Sequence, residues 1–326
     1  MKAILIALTL TIVVVLGLRW CCAYELPGVG VVLLYFLSYG LLQWHAHARK
    51  RGSGPDASCP DRSKWPLSGP LGRLGQKLGG VVFPGAFLVT NALSLLNPFQ
   101  AVQIVRQLLG NARLRKREKQ TGDDLTGYRC KAKYRLPVEG EWLVHNGGDT
   151  PETSHSWDVL GQRYALDLVR ADAHFRRHSG NGGRLAEYFC YGENIVAAAD
   201  GTVVSVEDRV DDAPLVGWGF CDFTVRHFAG SHVIIRHAEG EFALYAHLIK
   251  GSLRVLPGDA VRQGEVIGRC GHSGHSTEPH LHFHLQDSPD LFHGMGLPIQ
   301  FDDIIVDGSP VAAARIRAAQ RVRNAP

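Results

Sequence analysis

Ile195-Val196-Ala197-Ala198-Ala199-Asp200-Gly201-Thr202-Val203-Val204-Ser205-Val206 decides how the C-terminal half of this chain folds. Two apolar runs flank an Asp-Gly pair, which is the strand-turn-strand signal of a hairpin. The pattern recurs outward. Residues 232–237 and 242–248 flank Ala238-Glu239-Gly240-Glu241, and residues 256–268 place two short strands around turns at Gly258 and Gly264. From about residue 128 the chain is therefore expected to be mainly β, an antiparallel β-sandwich or open barrel. No internal repeat of solenoid period is present.

The N-terminal end reads differently. Residues 4–18 (ILIALTLTIVVVLGL) are apolar except for Thr9 and Thr11, and residues 26–44 form a second largely apolar run. A bilayer crossing needs about 20 such residues. The second run is close to that length, and the first reaches it if Trp20 to Tyr24 are included. Lys2 before the first run also fits a signal peptide, but no small-x-small cleavage site follows it. An α-helical membrane-anchor region is therefore expected over residues 1–97, holding two or three apolar helices. Lys2 and Arg49-Lys50-Arg51 favour the cytoplasmic side. Two crossings leave the C-terminal domain inside; a third over residues 79–97 takes it outside. Residues 98–127 read as a basic amphipathic linker, with the helix of residues 98–119 lying on the membrane surface. Residues 52–78 read as loop. Residues 311–326 read as a basic tail, a short helix or a solvated segment.

The 326 residues suffice for two or three regions with a sizeable core. The net charge of +4 is spread along the chain, and no nucleic-acid-binding pattern accompanies it. None of the seven cysteines stands in a CxxC pair, which argues against a cysteine zinc knuckle. Cys130, Cys190, Cys221 and Cys270 read either as buried thiols or as the source of one disulfide in an oxidising compartment.

Chemistry concentrates in Gly271-His272-Ser273-Gly274-His275-Ser276-Thr277-Glu278-Pro279-His280-Leu281-His282-Phe283-His284. Strand alternation turns Leu281 and Phe283 one way and His280, His282 and His284 the other. Imidazoles two apart on a strand stand about 6–7 Å apart, which suits one metal ligand with a second imidazole beside a bound water. A zinc hydrolase site needs three protein ligands and an open position. The chain offers His155, Asp167, His247, His280 and His282 in order. Asp167 lies in an apolar strand, where an unpaired charge is costly, so a cation partner is expected there: zinc or Arg163.

The segments IVAAADGTV, LYAHL, PGDAVRQGEVIG, GHSGHSTEPHLHF and QRYALDL, taken in order over residues 128–300, resemble the lysostaphin/LytM-type zinc endopeptidases of bacterial cell walls. The resemblance implies an antiparallel β core with a groove (a duplicated hybrid motif) over residues 128–310. It implies one Zn²⁺ per catalytic domain and hydrolysis of peptidoglycan peptide bonds. It makes His282 and Asp167 zinc ligands, and His247 and His280 catalytic. The usual first ligand, a histidine four residues before the aspartate, is Arg163 here, and a guanidinium has no lone pair to offer. His155 is the candidate in its place, with His145, His174 and His178 behind it. His284 stands where an acidic residue is common in the family; it is open between a role behind the ligands or at substrate and a solvated one. Gly271 and Gly274 are expected to supply positive φ or close backbone approach.

The reading is a membrane-anchored zinc metallopeptidase of a bacterial cell membrane, its catalytic domain periplasmic or extracellular. The alternative is a non-catalytic LytM-like domain that binds the wall or activates a wall amidase, which Arg163 favours. A phosphocarrier domain with paired histidines is a third reading, and it leaves Asp167 unexplained.

Overall fold

The computed structural model describes residues 2–22, 34, 38, 65–122 and 125–326. Most of the 26–44 run, the Arg49-Lys50-Arg51 patch and residues 52–64 of the expected 52–78 loop lie outside the described residues; the end of that expected loop is helical instead, a 3₁₀ turn at Pro70–Leu74 and then a helix from Gly75. The chain divides into two compact units, Met1–Cys59 and Pro60–Pro326. In the first, helix α1 spans Lys2–Cys22. Among the described residues no single helix is long and apolar enough to cross a membrane.

The second unit begins with helix α2 (Gly75–Ser94) and helix α3 (Pro98–Thr121). Helix α3 starts where its sequence dictates. The Asn97 side chain accepts from Phe99 N at 3.0 Å and Pro98 fills the first position, where no donor is missed. It ends at Gly122 with φ 62°, a left-handed cap that glycine adopts without strain.

Thirteen strands follow: β1 (Trp142–Asn146), β2 (Leu166–Val169), β3 (Asn194–Val196), β4 (Gly201–Glu207), β5 (Ser231–Ala238), β6 (Glu241–Leu248), β7 (Ala260–Val261), β8 (Val266–Arg269), β9 (Leu281–Gln286), β10 (Gly296–Leu297), β11 (Phe301–Val306), β12 (Ser309–Ala314) and β13 (Arg321–Asn324). Eleven form one antiparallel sheet in the order β12-β11-β13-β1-β2-β9-β6-β5-β4-β7, with β10 against β9; β3 and β8 pair as a second sheet. The mainly antiparallel β expectation holds, and the β3–β4 and β5–β6 turns fall where the Asp-Gly and Glu-Gly pairs put them, but only β5 and β6 pair as a hairpin; β3 leaves the Asp-Gly turn for β8 and β4 for β5 and β7. The helix or solvated segment expected over residues 311–323 is instead parts of β12 and β13. β13 pairs Val322 with Trp142 of β1, which buries Val322 and closes the sheet over the core.

The core is built from alternate residues of the central strands. Leu281, Phe283 and Leu285 of β9 point into it with Tyr245 and Trp142. Tyr245 packs edge-on to Phe283 with ring centroids 5.1 Å apart, and its hydroxyl accepts from Ala198 N at 2.8 Å, so burial leaves it satisfied. Cys130, Cys190, Cys221 and Cys270 are free thiols, the last three buried.

Candidate active site

Strand pairing assembles the site. β9 lies between β2 and β6, and the register sets His282 opposite both Asp167 and Ala246. The other face of β9, opposite the core, therefore carries His282, His284 and Gln286, all buried. His247 ends β6 at φ 63°, an uncommon left-handed conformation for a non-glycine residue. Its backbone is held there from two sides: His247 N donates to Ala229 O at 3.0 Å, and Gly271 N donates to His247 O at 3.0 Å. Behind it, Gly274 (φ 79°) packs so closely on Gly230 that a Cβ would lie 2.4 Å from Gly230 N. The expectation for Gly274 holds, and Gly271 is a close approach to Ile249.

His155, Asp167, His247, His280 and His282 line a groove of about 670 Å³. Phe83 and Phe87 of α2, Gln103 and Gln107 of α3, and Leu67 and Ser68 form part of its wall. Deeper in, Arg177 Nε donates to Glu278 Oε1 at 2.8 Å, both groups buried. Burial alone would raise the Glu278 pKa; the Arg177 charge holds it below the usual range.

His155 Nε2 stands 3.4 Å from Asp167 Oδ2, and His282 Nδ1 stands 2.9 Å from Asp167 Oδ1. His280 Nε2 is 3.7 Å from the same carboxylate. Burial opposes ionisation of Asp167, but His155, His280 and His282 together hold its pKa well below the usual value. Asn146 Nδ2 donates to Asp167 Oδ2 at 2.8 Å and fixes the carboxylate plane. Two overlapping groups have ligand atoms within 4.8 Å of one another: His155, Asp167 and His282, and His247, His280 and His282.

Hydrogen bonding assigns the ring protons. Gln286 Nε2 donates to the carbonyls of Ser288 and of Asp290 (3.2 Å), which can only accept, so Gln286 Oε1 is left to face His284. His284 Nε2–H donates to that oxygen at 3.0 Å, and His284 Nδ1 accepts from His282 Nε2–H at 3.1 Å. Burial holds the His284 pKa down to about 3, so it has no second proton to give. His282 Nδ1 then meets the Asp167 carboxylate lone pair to lone pair. That contact is favourable only with a cation, proton or metal, between them. Ligands about 2.0–2.1 Å from a tetrahedral ion lie about 3.3 Å apart. The spacings of 3.4 and 2.9 Å around Asp167 fit zinc, and the His₂Asp set offers the nitrogen and oxygen donors that zinc takes.

His247 and His280 are oriented for a different task. His247 Nδ1–H donates to Ser273 O at 2.7 Å, and His280 Nδ1–H donates to Glu278 O at 2.8 Å. Each ring thereby keeps a bare Nε2. Their ring centroids lie 4.7 Å apart. Burial, then the neighbouring His280 and His282, push the His247 pKa well below its usual value.

All five anticipated residues converge on the groove. Among the alternatives, His145 lines it, whereas His178 Nε2 accepts from Gly69 N at 2.9 Å outside it, and His174 belongs to neither ligand group. Arg163 is not the partner of Asp167. Its Nη1 donates to Glu118 Oε1 of α3 at 2.7 Å, and its guanidinium lies 4.6 Å over the Trp157 ring. His284 is neither solvated nor at substrate; it is buried and orients His282. Asn146, Gln286 and the Arg177–Glu278 pair went unrecognised in the sequence. Only Gln286 carried a signal, the continuation of the 282–284 alternation.

Residues 187–291 match the profile of peptidase family M23. The matched segment holds His247, His280 and His282 and stops short of Asp167 and His155. The chain is 29% identical over 150 residues to Endolysin 2638A of Staphylococcus phage 2638A (42% of this chain, 27% of that protein). It is 52% identical over 54 residues to the DD-carboxypeptidase/endopeptidase Mpg of Neisseria meningitidis (17% and 12%). It is 29% identical over 136 residues to the peptidoglycan DD-endopeptidase ShyC of Vibrio cholerae (40% and 29%). The chain thus spans less than a third of each of these relatives. The solved structure of lysostaphin from Staphylococcus simulans aligns at 17% identity and a TM-score of 0.30, covering 51% of this chain and 52% of that one. Residues 187–291 of the chain are thus a peptidase M23 domain.

Proposed function

We propose that this protein is a zinc metalloendopeptidase that hydrolyses peptide bonds of bacterial peptidoglycan. The observation that carries this is the facing of His282 Nδ1 and the Asp167 carboxylate, with His155 closing the third side. His155, Asp167 and His282 would hold the ion. Zinc bound there would lower the pKa of a water and polarise the scissile carbonyl. The chain's own residues do the rest. The bare Nε2 atoms of His247 and His280 accept a proton from the attacking water, return it to the leaving amine, and in the protonated state donate to the developing oxyanion. The Ser273 and Glu278 carbonyls keep both rings aimed while this happens. His155 in place of the usual upstream histidine weakens the case for a non-catalytic relative, because three ligands remain.

The apolar N-terminal region would anchor the chain in the bacterial cell membrane, with the catalytic domain periplasmic or extracellular, where peptidoglycan is met. The test is a set of three variants. His282→Ala and His155→Ala are expected to lose zinc and hydrolysis of purified peptidoglycan together; His280→Ala is expected to keep zinc and lose hydrolysis. Full wall-lytic activity of His282→Ala overturns the reading. Wild-type protein holding less than about 0.1 zinc per chain without chelator would favour the non-catalytic alternative, given the tight binding of a three-ligand site.

A further inference from the structure

Helices α2 and α3 are inside out. The face of α3 that packs on the β unit is largely polar, with Leu114 against Leu160 and Met295 as its apolar contact. Gln100 Nε2 donates to Asp222 O at 2.9 Å, and Gln103 donates to Arg226 O at 2.7 Å while accepting from Phe228 N at 3.0 Å. Asn111 accepts from Leu160 N at 3.0 Å. On α2 the buried side chains include Thr90 and Ser94, each returning its hydroxyl to the carbonyl four residues back. The outward faces are apolar: Leu96 is 79% exposed, Val102 59%, Leu109 53%, with Val89, Phe99 and Val105 at about half. A helix packed on a water-soluble domain has the opposite polarity, and a contiguous apolar surface of this kind marks a contact with something apolar.

Charge selects the partner. From Gly75 to Thr121 there is one carboxylate, Glu118, and it is bonded to Arg163. The same stretch carries Lys77, Arg106, Arg113, Arg115, Lys116, Arg117 and Lys119; Arg106, Arg115 and Arg117 pair with Asp290, Asp158 and Asp287 of the β unit and Arg113 bonds His293, while Lys116 and Lys119 are exposed at the end of α3. Basic ends beside an apolar face match an anionic lipid surface. Neither helix can cross alone, but the pair turns through 99° at Leu95-Leu96-Asn97, which places an exposed leucine corner at the bend. We propose that α2 and α3 seat the Pro60–Pro326 unit on an anionic bilayer, with their outward apolar faces and the Leu95-Leu96 corner sunk into the headgroup–acyl boundary. The same helices supply Phe83, Phe87, Gln103 and Gln107 to the groove, so the site opens at the bilayer surface. This inference is independent of the N-terminal anchor and of catalysis.

The test uses the full chain in vesicles of phosphatidylethanolamine and phosphatidylglycerol. A photoreactive benzoylphenylalanine is placed singly at Leu96, Val102, Leu16 or Leu256; circular dichroism confirms that each variant folds. Leu256 is exposed on the β unit and serves as the aqueous control. Lipid adducts at Leu96 and Val102 are expected at about tenfold the yield at Leu256 or more, as burial in the acyl boundary requires. Adducts at Leu16 alone leave the anchor standing and overturn this inference. Adducts at Leu96 and Val102 without Leu16 support it and sink the anchor. Crosslinks at Leu96 or Val102 to a second copy of the chain, in place of lipid, overturn it in favour of a packing face between copies.

Discussion

His284→Ala should weaken zinc binding although His284 cannot itself reach the ion's three proposed ligands' shared side. The wild-type chain Gln286–His284–His282 forces the proton of His282 onto Nε2 and leaves Nδ1 bare toward Asp167. Without His284, Nε2–H becomes a buried donor with no partner, which costs about 1–3 kcal/mol. The ring escapes that cost by moving its proton to Nδ1 and donating to Asp167, and in that tautomer it has no lone pair for the metal. Loss of such a supporting partner lowers metal affinity by about 10–100-fold, or about 1.4–2.8 kcal/mol at about 1.4 kcal/mol per decade. His284→Asn keeps an acceptor near the Nδ1 position and should recover most of the affinity. The assay is competition for zinc against a chromophoric chelator at neutral pH, with circular dichroism confirming the fold of each variant. An alanine variant that binds zinc as tightly as wild type refutes the tautomer argument. So does an asparagine variant as weak as alanine.

Glu241 is fully buried, and its carboxylate accepts from Tyr128 Oη (2.6 Å), Lys131 N (2.6 Å), Ala132 N (3.2 Å) and Tyr134 Oη (2.9 Å). In Glu241→Gln an amide N–H must face one backbone N–H, so chemical denaturation should show a loss of about 2–4 kcal/mol; a loss within experimental error would mean the four bonds do not anchor residues 128–134. Acid should destabilise the β unit between pH 6.5 and 4. Burial, with His227 beside His232, lowers the pKa of His232 to about 4, and burial lowers that of His275 to about 4. The unfolded chain protonates near 6.5 and the native one only near 4, so stability is full above 6.5 and falls by about 3 kcal/mol per group as pH drops to 4. With zinc saturating, His232→Gln should flatten that slope, and an unchanged slope would show that His232 is not responsible. Gly274→Ala should cost about 2 kcal/mol or more, from positive φ and the clash with Gly230, read as a drop in melting temperature.

What the sequence could and could not convey divides along one physical line. Alternation and Gly-containing turns are local, so the strands and turns from β3 to β6, the β5–β6 hairpin and the division of β9 into a core face and a histidine face were legible; that the Asp-Gly turn would send β3 to β8 and β4 to β5 was not. Pairing between distant strands is not local. Nothing in Trp142–Asn146 announces that β1 will lie beside β2 and bring Asn146 onto Asp167. Arg163 was misread for the same reason. Its neighbours in sequence suggested Asp167, but a short 3₁₀ turn at Leu160–Gln162 directs it toward Glu118, on a helix 45 residues away. The C-terminal strands were missed because Arg315, Arg317, Arg321 and Arg323 mask a short buried alternation around Val322 with solvated charge.

The displacement of Arg163 and the use of His155 are two sides of one arrangement. Arg163 spans Glu118 of α3 and the Trp157 ring, so it ties the loop that carries His155 to a helix that also walls the groove. Asn111 of the same helix bonds Leu160 N and the Asp158 carbonyl in that loop. The proposed third ligand is thus positioned by a helix, whereas Asp167 and His282 are fixed by sheet register. A ligand held on a loop is set as precisely as its supports. Whatever moves α3 acts on His155 first, and the polar inner face of α3 is what holds it to the β unit. If the outer face of α3 rests on lipid, the bilayer bears on the one zinc ligand that the sheet does not fix.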